Sequence, residues 1–265
     1  MMRKTRAVLF DLDDTLVHIP KRLDARDEAV DWEPVTRAQV KLLSSVIGAD
    51  VADKLDLFGF LASFWSEYAS RYPEPRALMP PLEETQWQQG ERLLGQMMRS
   101  QLGVSTRTTE CWRSLFQVNP DAFGRACFPD AFQTLTTLRE MELHLCVVTN
   151  RIAPSDLVKT ELEALGLDAM FDAVLSAGEV GFRKPHTKLF ERALDILGAR
   201  AVDTVMVGDN YLLDIEPAVR MGMTGVWKHN RRQRPVAINP AIVHIDALHE
   251  VIQVVAHRHQ EEDTK

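Results

Sequence analysis

Three carboxylates crowd into Asp11-Leu12-Asp13-Asp14-Thr15, directly after the apolar run Ala7-Val8-Leu9-Phe10. A short apolar run bounded by polar residues reads as a strand buried in a sheet. The acids then fall at the strand's carboxyl end, where open α/β sheets bind ligands. Side chains alternate along a strand, so Asp11 and Asp13 point to one side, about 6.6 Å apart at ~3.3 Å per residue. That spacing lets two carboxylates serve one substrate. The same residues also fit an acidic turn, because Asp hydrogen-bonds nearby backbone groups in turns.

Three further groups stand at matching places, each after a run that reads as a strand. Thr149-Asn150 follows Leu145-Cys146-Val147-Val148; a hydroxyl and a backbone amide at a strand end can hold an anionic oxygen, and both residues also cap helices. Lys184 lies in Gly181-Phe182-Arg183-Lys184-Pro185, where an ammonium point charge suits a phosphoryl group beside carboxylates or a surface salt bridge. Gly208-Asp209-Asn210-Tyr211-Leu212-Leu213-Asp214 follows Val205-Met206-Val207. Glycine permits a sharp turn there, and hard oxygen donors of this kind suit Mg²⁺. Asp214 alone reads as an acid favourable to a helix N-terminus.

The elements that must position these groups recur regularly. Strand-like runs at Leu143 to Val148, Ala173 to Leu175, Thr204 to Val207 and Thr224 to Trp227 are separated by helix-like stretches. Pro154 to Leu165 and Thr187 to Leu197 carry apolar residues at helical spacing, followed by Gly166 and Gly198 as C-terminal caps. This alternation implies parallel strands with right-handed crossovers, hence an α/β doubly wound sheet. Ile242 to Ile245 reads as an edge strand and Ala247 to Ala256 as a closing helix, with a polar, frayed tail from His257 to Lys265.

From about Ile19 to Phe128 the pattern changes. Phe60, Leu61, Phe64, Trp65 and Tyr68 fit one helical face, as do Trp87, Leu93, Leu94, Met97 and Met98. Pro73, Pro75, Pro80 and Pro81 break the region into two helical halves. It reads as an all-helical domain inserted after the first strand, its Trp and Met stripe packing between helices rather than lining a pocket.

A length of 265 residues, 45% of them hydrophobic and 26% charged, describes an ordinary globular chain. The net charge of −7 argues against nucleic acid as the main partner. The basic run Lys228 to Arg234 reads as a solvated loop rather than an anion site. Three cysteines without a C-x-x-C pair suggest reduced thiols and a cytoplasmic protein. No apolar segment approaches the ~20 residues that span a bilayer, and the chain's start runs at once into a strand, so neither a membrane segment nor a signal peptide is expected.

In this order, Phe10-Asp11-Leu12-Asp13-Asp14-Thr15-Leu16, Val148-Thr149-Asn150, Arg183-Lys184-Pro185 and Gly208-Asp209-Asn210 through Asp214-Ile215 resemble the four motifs of the haloacid dehalogenase superfamily of phosphatases. The resemblance implies a Rossmann-like catalytic core from residues 1–18 and 128–265, with residues 19–127 as a helical C1-type cap that encloses the site. It implies Asp11 as the nucleophile that forms an aspartyl phosphate and Asp13 as the general acid and base. Mg²⁺ would be held by Asp11, Asp209 and the Asp13 carbonyl, with Asn210 and Asp214 orienting that site. Thr149, the Asn150 amide and Lys184 would hold the phosphoryl oxygens, and Thr15 would brace the loop. Asp14 replaces a glycine common in relatives, at a turn that Asp tolerates. Dehalogenating members lack an acid two residues after the nucleophile, so Asp13 disfavours carbon–halogen cleavage.

The implied activity is hydrolysis of a small phosphorylated metabolite. A sugar phosphomutase on the same core is the alternative. A signalling receiver domain is smaller and lacks the helical insertion, and a non-catalytic binding protein would not need every one of these groups.

Overall fold

The computed structural model describes residues 5–18, 32–71, 85–105, 107–228, 239 and 241–263, with side chains up to Arg258. Pro73, Pro75, Pro80, Pro81 and the basic residues from His229 to Arg234 lie outside the described residues. The chain divides into two compact units, one formed by Met1–Ile19 with Ala126–Lys265 and the other by Pro20–Arg125.

The strands are β1 (Ala7–Phe10), β2 (Val17–His18), β3 (Ala126–Cys127), β4 (His144–Thr149), β5 (Ala173–Ser176), β6 (Thr204–Gly208), β7 (Thr224–Lys228) and β8 (Ile242–Ile245). In the first unit six of them form one parallel sheet in the order β5-β4-β1-β6-β7-β8. All four residues of β1 are fully buried, as a strand with a parallel neighbour on each edge and helices on both faces requires. Leu189, Phe190 and Ala193 of the helix Thr187–Leu197 pack on Leu9, Cys146, Val148 and Met206 in one core cluster. Gly166 and Gly198 take the left-handed conformation at the two expected helix ends. β2 and β3 pair antiparallel as a short separate ribbon, which ties Ala126 and Cys127 to the first unit.

The C-terminal segment departs from expectation. Its helix spans Glu250–Asp263, and the segment read as a frayed tail contains Arg258, which is only 8% exposed. The Arg258 guanidinium donates to Thr5 Oγ1 at 3.0 Å, to the Val202 carbonyl at 2.9 Å and to the Thr224 hydroxyl. A buried guanidinium needs such partners, and these three, far apart in sequence, pin the helix to the sheet.

The second unit is helical. It contains the helices Glu33–Ile47, Ala49–Ala52, Leu57–Arg71, Gln86–Met97 and Thr108–Ser114. Thr85 and Gln88 form a reciprocal cap at the start of the fourth. The rings of Phe64, Trp65, Tyr68, Trp87 and Phe116 surround Trp112 at centroid distances of 4.7–6.1 Å. Gly90 makes room for this cluster, since a Cβ there would lie 2.4 Å from the Trp112 ring. The aromatic stripe is core, as expected; Trp32 is outside it and 57% exposed.

Candidate active site

Strand order brings three chain segments together. β1 lies between β4 and β6, so Asp11, Thr149-Asn150-Arg151 and Gly208-Asp209 all emerge at the carboxyl end of neighbouring strands. The Asp11 amide still donates to Val207 at 2.9 Å, which fixes its backbone before the chain turns. Asp14 makes that turn with φ of 61°, the left-handed conformation its residue type tolerates.

Lys184 reaches into the middle of the acids. It is 3% exposed, and its Nζ donates to Asp11 Oδ1 at 2.6 Å and to the Val148 carbonyl at 2.8 Å, and pairs with Asp214 Oδ1 at 2.6 Å. Thr15 Oγ1 donates to the other Asp11 oxygen at 3.2 Å. Burial pushes the Asp11 carboxyl above the usual carboxylate range; Lys184 opposes this, while Asp214, Asp209 and Asp13 add to it. Burial also disfavours the Lys184 charge, but Asp11 and Asp214 outweigh it and raise its pKa. One cation therefore faces an excess of buried negative charge.

Carboxylate oxygens of Asp11, Asp209 and Asp214 lie within 4.8 Å of one another. Asp214, expected to orient this site, is itself one of the three clustered acids. Its other oxygen accepts from the Asn210 amide at 3.1 Å. The Asn210 side chain caps the following turn, accepting from Leu212 and Leu213 at 3.1 Å each. Gly208 matters here for space, not for a turn: a Cβ would lie 2.5 Å from the Cβ of Asp214.

Asn150 and Lys184 are locked to each other. The Asn150 amide nitrogen donates to the Lys184 carbonyl at 3.0 Å, and the Lys184 backbone amide donates to Asn150 Oδ1 at 2.7 Å. The Asn150 side chain is therefore spent on holding the lysine loop. Thr149 is buried, and its hydroxyl accepts from the Arg151 amide at 3.4 Å.

The sequence reading left Arg151 out of the site. Its Nε donates to Asp13 Oδ2 at 3.0 Å and its Nη2 to Asp13 Oδ1 at 2.5 Å, while Nη1 bonds Glu161. Its place two residues after Thr149 was the one sequence cue. His18, the other neighbour of a motif, is exposed and meets Phe128 edge-on.

Lys228 corrects a second expectation, because it ends β7 beside Trp227 and is buried, whereas the loop reading began at Lys228. Trp227 Nε1 donates to the Asp209 carbonyl at 2.8 Å. Lys228 Nζ donates to the Asp14 carbonyl at 3.1 Å and sits 3.2 Å from the Phe128 ring centroid. Burial lowers its pKa to about 8, against the pull of Asp209, Asp130 and Asp14.

A parallel sheet that gathers acids and a buried lysine at its carboxyl edge defines an enzyme core built for anionic chemistry. The family described as haloacid dehalogenase-like hydrolase matches residues 5–222, and the chain belongs to that family of hydrolases. It is 29% identical over 222 residues to the glyceraldehyde 3-phosphate phosphatase of Methanopyrus kandleri, covering 83% of this chain and 82% of that enzyme. A 99-residue match at 37% identity to the glyceraldehyde 3-phosphate phosphatase of Methanocaldococcus jannaschii covers 37% of this chain and 42% of that one. The phosphoserine phosphatase of Thermus thermophilus is 31% identical over 137 residues, 52% and 53% of the two chains. The chain thus spans about half or less of the length of these last two relatives.

Among solved structures, a 2-haloacid dehalogenase from Pseudomonas syringae shares the fold with a TM-score of 0.64 at 23% identity, over 96% of this chain and 99% of that one. A HAD phosphatase from Thermococcus onnurineus does so at 0.56 and 22% identity, over 95% and 98%. No helix among the described residues is long and apolar enough to cross a membrane.

Proposed function

We propose that the chain is a Mg²⁺-dependent phosphomonoesterase that works through an aspartyl phosphate on Asp11. The observation that carries this reading is the position of Lys184 Nζ, 2.6 Å from both Asp11 and Asp214 at the carboxyl edge of the sheet. Asp11, Asp209 and Asp214 fit a divalent cation, since three hard oxygen donors converge within 4.8 Å. Asp11, Asp209 and the Asp13 carbonyl would hold Mg²⁺, with Asp214 beside them. When bound, Mg²⁺ screens the repulsion between an anionic nucleophile and an anionic substrate.

Asp11 Oδ attacks phosphorus, and the ester oxygen leaves with a proton from Asp13. Asp13 then takes a proton from the water that hydrolyses the aspartyl phosphate, which returns both acids to their starting state. Lys184, Thr149 and the Asn150 backbone amide hold the phosphoryl oxygens as charge shifts between them. Thr15 keeps the Asp11 carboxylate oriented.

The helical unit occupies the chain position of the family's cap, and selectivity is assigned to it. The names of the relatives point to small three-carbon phosphates as the substrate class. Three free cysteines suit a reducing cytoplasm.

Purified protein is expected to hydrolyse p-nitrophenyl phosphate with Mg²⁺ and to stop in EDTA. A panel of three-carbon, hexose and nucleoside phosphates then ranks the natural substrates. Turnover that persists without metal would overturn the metal assignment, and isomer formation on hexose phosphates without phosphate release would make the chain a mutase.

A further inference from the structure

Arg151 stands among the acids at the carboxyl edge of the sheet, and the mechanism above gives it no task. Its side chain is 12% exposed and is shared between two carboxylates that come from opposite directions, Asp13 from the loop after β1 and Glu161 from the helix Ser155–Ala164. The two Asp13 oxygens are taken side-on by Nε and Nη2, at 3.0 and 2.5 Å. A planar fork of this kind fixes a carboxylate in distance and in plane, which a lysine's single ammonium cannot do. The third nitrogen is tied to Glu161, which is itself largely buried, so the guanidinium cannot follow Asp13 if that side chain moves.

The chemistry asks for such a holder. Asp13 is more exposed than Asp11, with 27% of its side chain accessible against 10%.

We propose that Arg151, itself held by Glu161, is a positioning residue that fixes the Asp13 carboxylate for proton transfer to the leaving oxygen. This rests on the reading of Asp13 as the general acid. The proton passes from Asp13 to the ester oxygen as the phosphorus–oxygen bond breaks; Arg151 gives up no proton and touches no substrate.

The test uses leaving groups, because p-nitrophenolate departs without help whereas an alkoxide needs its proton. In Arg151→Ala, kcat/KM for an alkyl phosphate such as glycerol 3-phosphate should fall roughly 10²-fold, the scale of a misplaced catalytic group, and kcat/KM for p-nitrophenyl phosphate by less than about threefold. Arg151→Lys should fall between Arg151→Ala and wild type. Glu161→Gln, which removes only the second anchor, should change the alkyl-to-aryl ratio in the same direction and less.

In an Asp13→Asn background, Arg151→Ala should leave that ratio where Asp13→Asn put it, since both act on one step. Equal losses on both esters, or a raised KM with kcat intact, would overturn the proposal and make Arg151 a structural or substrate-binding residue. If Arg151→Ala does not fold, Glu161→Gln and Arg151→Lys decide by the same ratio. A wild-type protein that hydrolyses neither ester would instead overturn the phosphatase reading itself.

Discussion

Asp11 and Asp13 stand two residues apart and live in different surroundings. Asp11 is deeply buried, bonded to Lys184 and Thr15, and close to two more acids. Asp13 is partly exposed and held side-on by an arginine that a second acid anchors. The first arrangement concentrates negative charge around one compact ammonium, which suits a nucleophile that meets a cation and a phosphoryl group. The second fixes the place and plane of a carboxylate with a rigid fork and leaves it partly exposed, which suits a group that must meet the leaving oxygen. One short segment supplies both because its neighbours differ: Asp11 meets Lys184 and the acids after β6, and Asp13 meets Arg151 after β4.

The largest effect should come from Asp11→Asn, which removes the attacking oxygen. Turnover is expected to drop by roughly 10⁴-fold or more with the circular dichroism unchanged; near wild-type rates would place the nucleophile elsewhere and dissolve the distinction between the two acids.

Lys184→Met should cost roughly 10²- to 10³-fold in kcat. It should also destabilise the metal-free protein by about 3–5 kcal/mol, because Asp11 and Asp214 lose their buried partner. Arg183→Ala should stay within about threefold in kcat, the scale of a partly exposed charge outside the acidic cluster. The reverse ranking in kinetics and urea unfolding would move the phosphate contact to Arg183.

The Asp11 side should also carry its own pH dependence. Its folded pKa lies above the unfolded value, so its contribution to stability is complete below about pH 4 and is lost as pH rises through the folded value. The unfolding temperature of metal-free protein should therefore fall from about pH 4 upward. Since Mg²⁺ competes with the proton on Asp11, its apparent affinity should rise by up to about tenfold per pH unit over that range. Asp11→Asn should flatten both responses; a flat wild-type response would mean that Asp11 is ionised throughout.

The smallest effect concerns the backbone just after the two acids, where Lys228 donates to the Asp14 carbonyl. Its folded pKa is lowered to about 8. Between about pH 8 and 10.4 the unfolded chain holds more protons at this group, so it makes the wild type more stable as pH rises. Lys228→Met should lack that gain, with a difference of a few degrees in unfolding temperature between pH 7.5 and 10. Parallel curves would leave Lys228 exposed in solution.

The fold was largely legible because periodicity is local. Runs such as Ala7-Val8-Leu9-Phe10 and Val205-Met206-Val207 are short and apolar throughout, as central parallel strands must be, and Leu189, Phe190 and Ala193 fall on one helical face for the same reason. The aromatic stripe of the helical unit was read correctly as core by its spacing. Arg258 was misread because a single arginine in a polar stretch gives no periodic sign of burial, and its three partners lie 34 to 253 positions away. Lys228 was misread similarly, as part of the basic run that it begins.

The site divides along the same line. The residue types of Asp11 to Thr15, Thr149, Lys184 and Asp209 and their order were determined by the sequence alone, because each motif is continuous; all but Lys184, which follows the short helix Ala177–Val180, stand at the end of their own strand. Which acid meets which cation was decided only by the tertiary structure. Lys184 reaches Asp11 across 173 positions and Arg151 reaches Asp13 across 138, while Asp214 enters the acidic cluster through the space that Gly208 leaves. Local patterns encode which face of an element is buried; the order β4-β1-β6 encodes who stands opposite, and charge pairing depends on that distance.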